Sequence, residues 1–97
     1  MKSVIDNKTL TIFFEGELNS SNAEDIEKEI EELLSKGGFD GVKLDFNDLT
    51  YISSAGLRII VRLKQQYDDT TLVNVSSDIY DIFKMVGFHN LLKIETK

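Results

Sequence analysis

The residues whose types and spacing could do chemistry lie together in one stretch, Tyr51-Ile52-Ser53-Ser54-Ala55-Gly56-Leu57-Arg58. Two hydroxyls and a glycine stand there between a strand-like stretch and an amphipathic helical one. Such a junction can hold a serine nucleophile, a cradle for a nucleotide phosphate, or a serine that itself carries phosphate. A nucleophile elbow needs glycine on both sides of the serine, yet Ile52 precedes Ser53 and Ala55 follows Ser54. It also needs a base, and the lone histidine, His89, lies beside Phe88 in what reads as a loop after the last helix. A phosphate cradle needs a glycine-rich turn directly after a strand, whereas Gly37, Gly38 and Gly41 precede one. Asp45 and Asp48 suggest an aspartyl-phosphate receiver, but that site needs further acids after the first strand and a lysine after a late one. Asp45 reads more simply as a solvent-facing strand residue and Asp48 as a turn former.

A serine that accepts phosphate needs no catalytic group on its own chain. Ser54 falls at or next to the first residue of the helix, where a phosphate meets unpaired amides and the positive end of the helix dipole, worth about 0.3–1 kcal/mol when exposed. The modification adds roughly −1.5 to −2 charge, so its effect falls on whatever docks there and not on the fold. The competing reading is that Ser53 and Ser54 only cap the helix.

The elements that must position this junction follow from periodicity. Lys2–Ile5 and Thr9–Glu15 read as two strands of a hairpin around Asp6-Asn7, with Leu10, Ile12 and Phe14 on one face. Ser21-Asn22-Ala23-Glu24 fits a capping box opening a helix whose apolar face is Ala23, Ile26, Ile30, Leu33 and Leu34, closed by Gly37-Gly38. Val42, Leu44 and Phe46 alternate with Lys43 and Asp45 as a strand, followed by a loop from Asn47 to Ser53. The second helix carries an apolar stripe of Gly56, Ile59, Ile60, Leu63 and Tyr67. Thr71–Val75 is a further strand; Ser76-Ser77-Asp78 caps a third helix with Ile79, Ile82, Phe83 and Val86 inward, ended by Gly87; Leu91-Leu92-Lys93-Ile94 forms a last short apolar piece. Strands that flank helices at this spacing are parallel neighbours joined by crossovers. The expected fold class is therefore α/β: an N-terminal β-hairpin followed by alternating helices and strands, forming a mixed sheet packed against helices.

Composition narrows the function classes. At 97 residues the chain is expected to be one domain, residues 1–97. Its 41% hydrophobic and 29% charged residues are those of an ordinary globular protein. Without cysteine there is no disulfide, thiol nucleophile or thiolate metal site, and one histidine builds no metal site alone. Neither cofactor nor metal is expected. Eleven basic against seventeen acidic residues leave a net charge of −6, which repels nucleic acid and anionic membrane surfaces. The N-terminus lacks an export-signal pattern and no apolar run is long enough to span a bilayer, so a cytoplasmic location is expected. No apolar stripe stands out beyond the predicted core, and the free chain is expected to be a monomer.

The stretch from Leu44 to Leu63, LDFNDLTYISSAGLRIIVRL, resembles the central motif of STAS domains, in particular the small bacterial anti-sigma factor antagonists. FEGELNSSNAEDIEKEIEELL (14–34) resembles the family's strand and first helix, and IYDIFKMVGFHNLLKI (79–94) its terminal helix and strand, so the likeness runs the length of the chain. The resemblance places Ser54 on the phosphoacceptor, with Gly56 and Leu57 on the glycine and leucine that follow. Ser53 stands where an aspartate is common, Ala55 where serine or threonine is, and Asn19 where an aspartate near the phosphoacceptor is. It implies a STAS-type fold and a partner-switching antagonist, not an enzyme. Unphosphorylated, it binds an anti-sigma factor that is also its serine kinase, freeing a sigma factor; phosphorylation of Ser54 breaks the complex, and a serine phosphatase restores it. The implied docking surface is Asp48, Tyr51, Ile52, Ser53, Ser54, Ala55, Gly56 and Arg58, with Arg58 facing either the phosphate or an acidic partner. The alternative within the family is an unphosphorylated scaffold or regulatory module in a larger assembly, and a residual one outside it is a small hydrolase using Ser54.

Overall fold

The computed structural model describes residues 1–97. Strand β1 (Lys2–Asp6) and β2 (Thr9–Leu18) are joined by Asn7 and Lys8, both at positive φ, 51° and 61°. That is the two-residue turn whose twist matches a hairpin, set one residue later than the sequence suggests because Asp6 still pairs with Thr9. Helix α1 (Ala23–Ser35), β3 (Gly41–Ile52), α2 (Ser54–Gln66), β4 (Thr70–Val75), α3 (Ser77–Met85), one 3₁₀ turn (Phe88–Asn90) and β5 (Lys93–Thr96) complete the chain.

The five strands lie in the order β1-β2-β3-β4-β5, with β1 antiparallel to β2 and the rest parallel. In register, Leu10 sits beside Val42 and Ile12 beside Leu44, and Leu44 beside Leu72. All five are at most 1% exposed, so the period of two turns one sheet face inward. Ile30 of α1, Ile59, Ile60 and Leu63 of α2, and Ile79 and Phe83 of α3 join the same core. Phe14 meets Phe46 edge-on at 5.1 Å, and Phe46, Phe83 and Phe88 continue as a stack that ties β3 to α3 and the 3₁₀ turn.

Several expectations change. The stretch from Asn47 to Ile52 is not a loop but the end of β3, and β2 likewise runs on to Leu18. The strand pattern stops at Phe46 because the buried residues after it, Leu49 and Ile52, come at intervals of three. Two irregularities absorb the difference. β3 advances from Asp45 to Asp48 while β2 advances only from Phe13 to Glu15, and from Leu49 to Tyr51 while β2 moves from Gly16 to Glu17. Gly16, at φ 70°, makes the bend, and its carbonyl accepts from Thr50 Oγ1 at 2.9 Å.

The predicted capping box of Ser21 and Glu24 is replaced by an asparagine pair. Asn19 Oδ1 accepts from the Ser21 and Asn22 N–H groups, while Asn22 Oδ1 accepts from the Asn19 N–H at 2.9 Å. An amide can do this and donate as well, and Asn22 Nδ2 also holds the Glu17 carbonyl at 2.8 Å. Val86, expected inward, is 48% exposed because α3 ends at Met85. Tyr67 leaves α2 and packs on Phe39. Leu91 stands outside the last strand, 64% exposed.

Candidate functional site

The junction is built by the ends of β2 and β3. The Ser53 N–H donates to the Leu18 carbonyl at 2.9 Å, the last backbone bond between the two strands, and Ser53 stays extended (φ −99°, ψ 176°). Its Oγ then accepts from the Gly56 N–H at 3.5 Å and its carbonyl from the Leu57 N–H at 3.0 Å, so Ser53 is the N-cap of α2. Ser54 is the first helical residue, and its side chain is exposed.

Gly56 explains how the helix starts so close to the strands. A Cβ there would lie 2.7 Å from both Ile52 Cγ1 and Leu18 Cγ. Only glycine lets the first turn of α2 rest directly on the ends of β2 and β3.

Of the residues expected at a docking surface, Asp48, Tyr51, Ser54 and Arg58 are exposed and Ser53 and Ala55 are half-buried. Ile52 is a correction: at 2% exposure its side chain is core, because β3 turns it inward between Leu18 and Gly56. Gly56 is buried in the same contact and supports the surface from beneath. Tyr51, one residue earlier, therefore points outward at 47% exposure. The neighbouring loop from Glu17 to Asn22, which holds the Asn19 that the family resemblance places near the phosphoacceptor, is tied to the junction by the Leu18–Ser53 bond, and Asn19 and Asn22 brace it.

The charges are ordered around this point. The first turn of α2 has no acidic residue, and the whole helix carries Arg58, Arg62 and Lys64 with no carboxylate. Arg62 pairs with Glu27 of α1 at 2.6 Å, and Lys64 pairs with Asp68 at 3.4 Å. Arg58, one turn beyond Ser54, makes neither an ion pair nor a hydrogen bond. An unpaired guanidinium on that helix face suits a carboxylate or a phosphate.

The groups proposed for other chemistry are engaged locally or stand apart. Asp45 accepts from the Asn47 N–H at 2.9 Å and from Asn74 Nδ2 at 3.1 Å, and Asp48 accepts from Asn47 Nδ2 at 3.1 Å. His89 is exposed on the 3₁₀ turn. Ser54 lines none of the molecule's four cavities. It sits on an open surface, which suits recognition by another macromolecule better than enclosure of a small substrate. No helix is long and apolar enough to cross a membrane.

Comparison with known proteins agrees with this geometry. A family model described as STAS domain matches residues 1–97. A Bordetella bronchiseptica protein named as an anti-sigma factor antagonist, BtrV, is 33% identical over 84 residues, covering 82% of this chain and 72% of that protein. The crystal structure of a Thermotoga maritima protein named as an anti-sigma factor antagonist superposes with a TM-score of 0.88 at 22% identity, over 99% of this chain and 86% of the other. The Bacillus cell fate determinant SpoIIAA, solved in its phosphorylated form, gives 0.70 at 20% identity, over 99% of this chain and 91% of the other. At these identities the two structures speak for the fold.

Proposed function

This chain belongs to the STAS domain family, and from that premise we propose that it is an anti-sigma factor antagonist switched by phosphorylation of Ser54. Unphosphorylated, it binds an anti-sigma factor that is also a serine kinase and displaces a sigma factor from it. The kinase's ATP supplies the γ-phosphoryl group, Ser54 Oγ attacks it, the hydroxyl proton passes to a base on the kinase, and ADP leaves. A serine phosphatase returns phosphate to water and regenerates the hydroxyl. This chain contributes the acceptor and the docking surface, and the catalytic groups belong to its partners in the cytoplasm.

The observation that carries the reading is the division of labour between two adjacent serines. Ser53 spends its hydroxyl on the helix cap, while Ser54 keeps its own free and exposed one residue later. A phosphate there meets free helical amides and no acidic neighbour in the first turn, so it is tolerated by the fold. Its charge of roughly −1.5 to −2 is instead felt by whatever rests on the surface. Phosphorylation of a SpoIIAA relative is in keeping with the same switch.

The test is capture from native extract by wild type, Ser54→Ala and Ser54→Asp side by side. An ATP-binding kinase recovered by the first two and lost by Ser54→Asp, with affinity down by at least about 2 kcal/mol, is the expected result. Equal recovery of one partner by all three would refute the switch and leave a constitutive scaffold module.

A further inference from the structure

Helix α2 presents a second feature that phosphate acceptance does not use. With 3.6 residues per turn, Ser54, Arg58, Val61 and Gln65 fall along one outward line, opposite the buried Gly56, Ile59, Ile60 and Leu63. The C-terminal half of that line borders a cavity of about 230 Å³ walled by Val61, Lys64, Gln65, Phe88, Leu91 and Leu92. Its floor is anchored: Leu92 is 7% exposed, and Phe88 stacks on Phe83 with centroids 5.9 Å apart. Its rim is apolar and open, since Leu91 is 64% exposed.

Charge says what fits over it. In a chain of net charge −6, α2 carries three cations and no carboxylate. Two of the three are paired, and Arg58, one turn before Val61, is the one left without a partner. An unpaired guanidinium beside an apolar cavity is complementary to a segment bearing a carboxylate next to a large apolar side chain.

We propose that this strip is the second half of one docking surface. The partner gated by Ser54 lays an acidic segment along α2, with a carboxylate on Arg58 and a side chain of leucine or phenylalanine size in the cavity between Val61 and Leu91. The inference rests on Ser54 acting as the gate. Val61 is seven residues beyond Ser54, roughly 10 Å along the axis at about 1.5 Å per residue, so gate and anchor fit within one interface of about 800 Å² per partner. The buried apolar anchor supplies residence, and the arginine orients the approaching segment.

Wild type, Ser54→Asp, Leu91→Asp, Arg58→Glu and Met85→Asp are compared for capture from native extract, each first shown to keep the native circular dichroism spectrum. Met85, 82% exposed at the end of α3 and outside the cavity, is the control. A sixth protein, with Leu91 replaced by p-benzoylphenylalanine, is photo-cross-linked to whatever is captured. Leu91→Asp and Arg58→Glu should each weaken binding of the Ser54-gated partner about tenfold or more, on the scale of losing an interface anchor. Met85→Asp should bind as wild type, and the cross-linked partner peptide should carry Asp or Glu beside an apolar residue. If Leu91→Asp and Arg58→Glu bind as wild type while Ser54→Asp does not, or if the cross-link falls on a basic peptide, the anchor is overturned and the gate stands. Equal capture by Ser54→Asp and wild type overturns the gate and the anchor with it.

Discussion

At the scale of the residue, the two serines of the junction differ in what their hydroxyls do: Ser53 caps the helix and Ser54 leaves its own exposed. Ser53 Oγ meets the Gly56 N–H at 3.5 Å, a long bond, so Ser53→Ala should lower stability by about 0.5–1 kcal/mol, the lower part of the range of cap losses. Ser54→Ala removes an exposed hydroxyl and should stay within about 0.5 kcal/mol of wild type. Urea unfolding midpoints of the two variants check this, and a larger loss for Ser54→Ala would reverse the roles. The start of α3 repeats the arrangement: Ser76 Oγ accepts from the Ile79 N–H at 3.3 Å and Ser77 is exposed. There Asp78 follows in the first turn, so a phosphate would meet like charge. A serine pair at a helix start is thus not enough; the absence of a carboxylate from the first turn of α2 is what suits Ser54, and not Ser77, to phosphate.

At the scale of the element, the site depends on two strands that outlast their regular pairing. The irregularities opposite Gly16 carry Tyr51 outward and Ile52 inward, and Gly56 seats α2 on the resulting ledge. In an exposed helix interior, alanine in place of glycine stabilises by roughly 0.5–1 kcal/mol. Here the added methyl would overlap Ile52 and Leu18, so Gly56→Ala should destabilise by about 1–3 kcal/mol, the usual cost of overpacking. Thermal or urea unfolding reads the sign directly. A stabilised Gly56→Ala would mean that the first turn of α2 has room to lift from the strands.

At the scale of the whole molecule, stability and function are drawn from different parts. The core joins β2, β3 and β4 to the inward faces of three helices, while β1 and β5 are sheet edges with no buried residue and one half-buried residue each, Ser3 and Ile94. Backbone amides of Ile12, Leu44 and Leu72 should therefore exchange with solvent most slowly, and those of β1 and β5 faster. Hydrogen exchange followed by NMR checks the ranking, and the same ranking is expected for Ser54→Asp because its site lies outside the core. Edge strands as protected as Leu44 would contradict it. Charge is likewise divided: α1 carries six carboxylates against Lys28, whereas α2 carries cations alone. An acidic molecule thereby keeps one helix whose charges are all positive.

Most of the architecture was legible in the sequence. Period-two runs such as Leu10-Ile12-Phe14, helical stripes such as Ile59-Ile60-Leu63 and helix-ending glycines are local signals, and each is enforced by backbone geometry within a few residues. The same locality put Ser54 at a helix start. What the sequence determined by itself was the order of elements, the apolar faces and the serine at the strand-to-helix junction. Only the tertiary structure decided which of two serines caps the helix, that β3 runs through a stretch lacking a strand period, that Ile52 is core while Tyr51 is not, and that Phe88, Leu91 and Leu92 close a cavity against Val61. Each of those depends on a neighbour distant in sequence: Gly16 and Leu18 across the sheet from Thr50 and Ser53, or the chain after α3 folding back on α2. Periodicity reports which face a residue occupies, and packing between distant segments sets what that face meets.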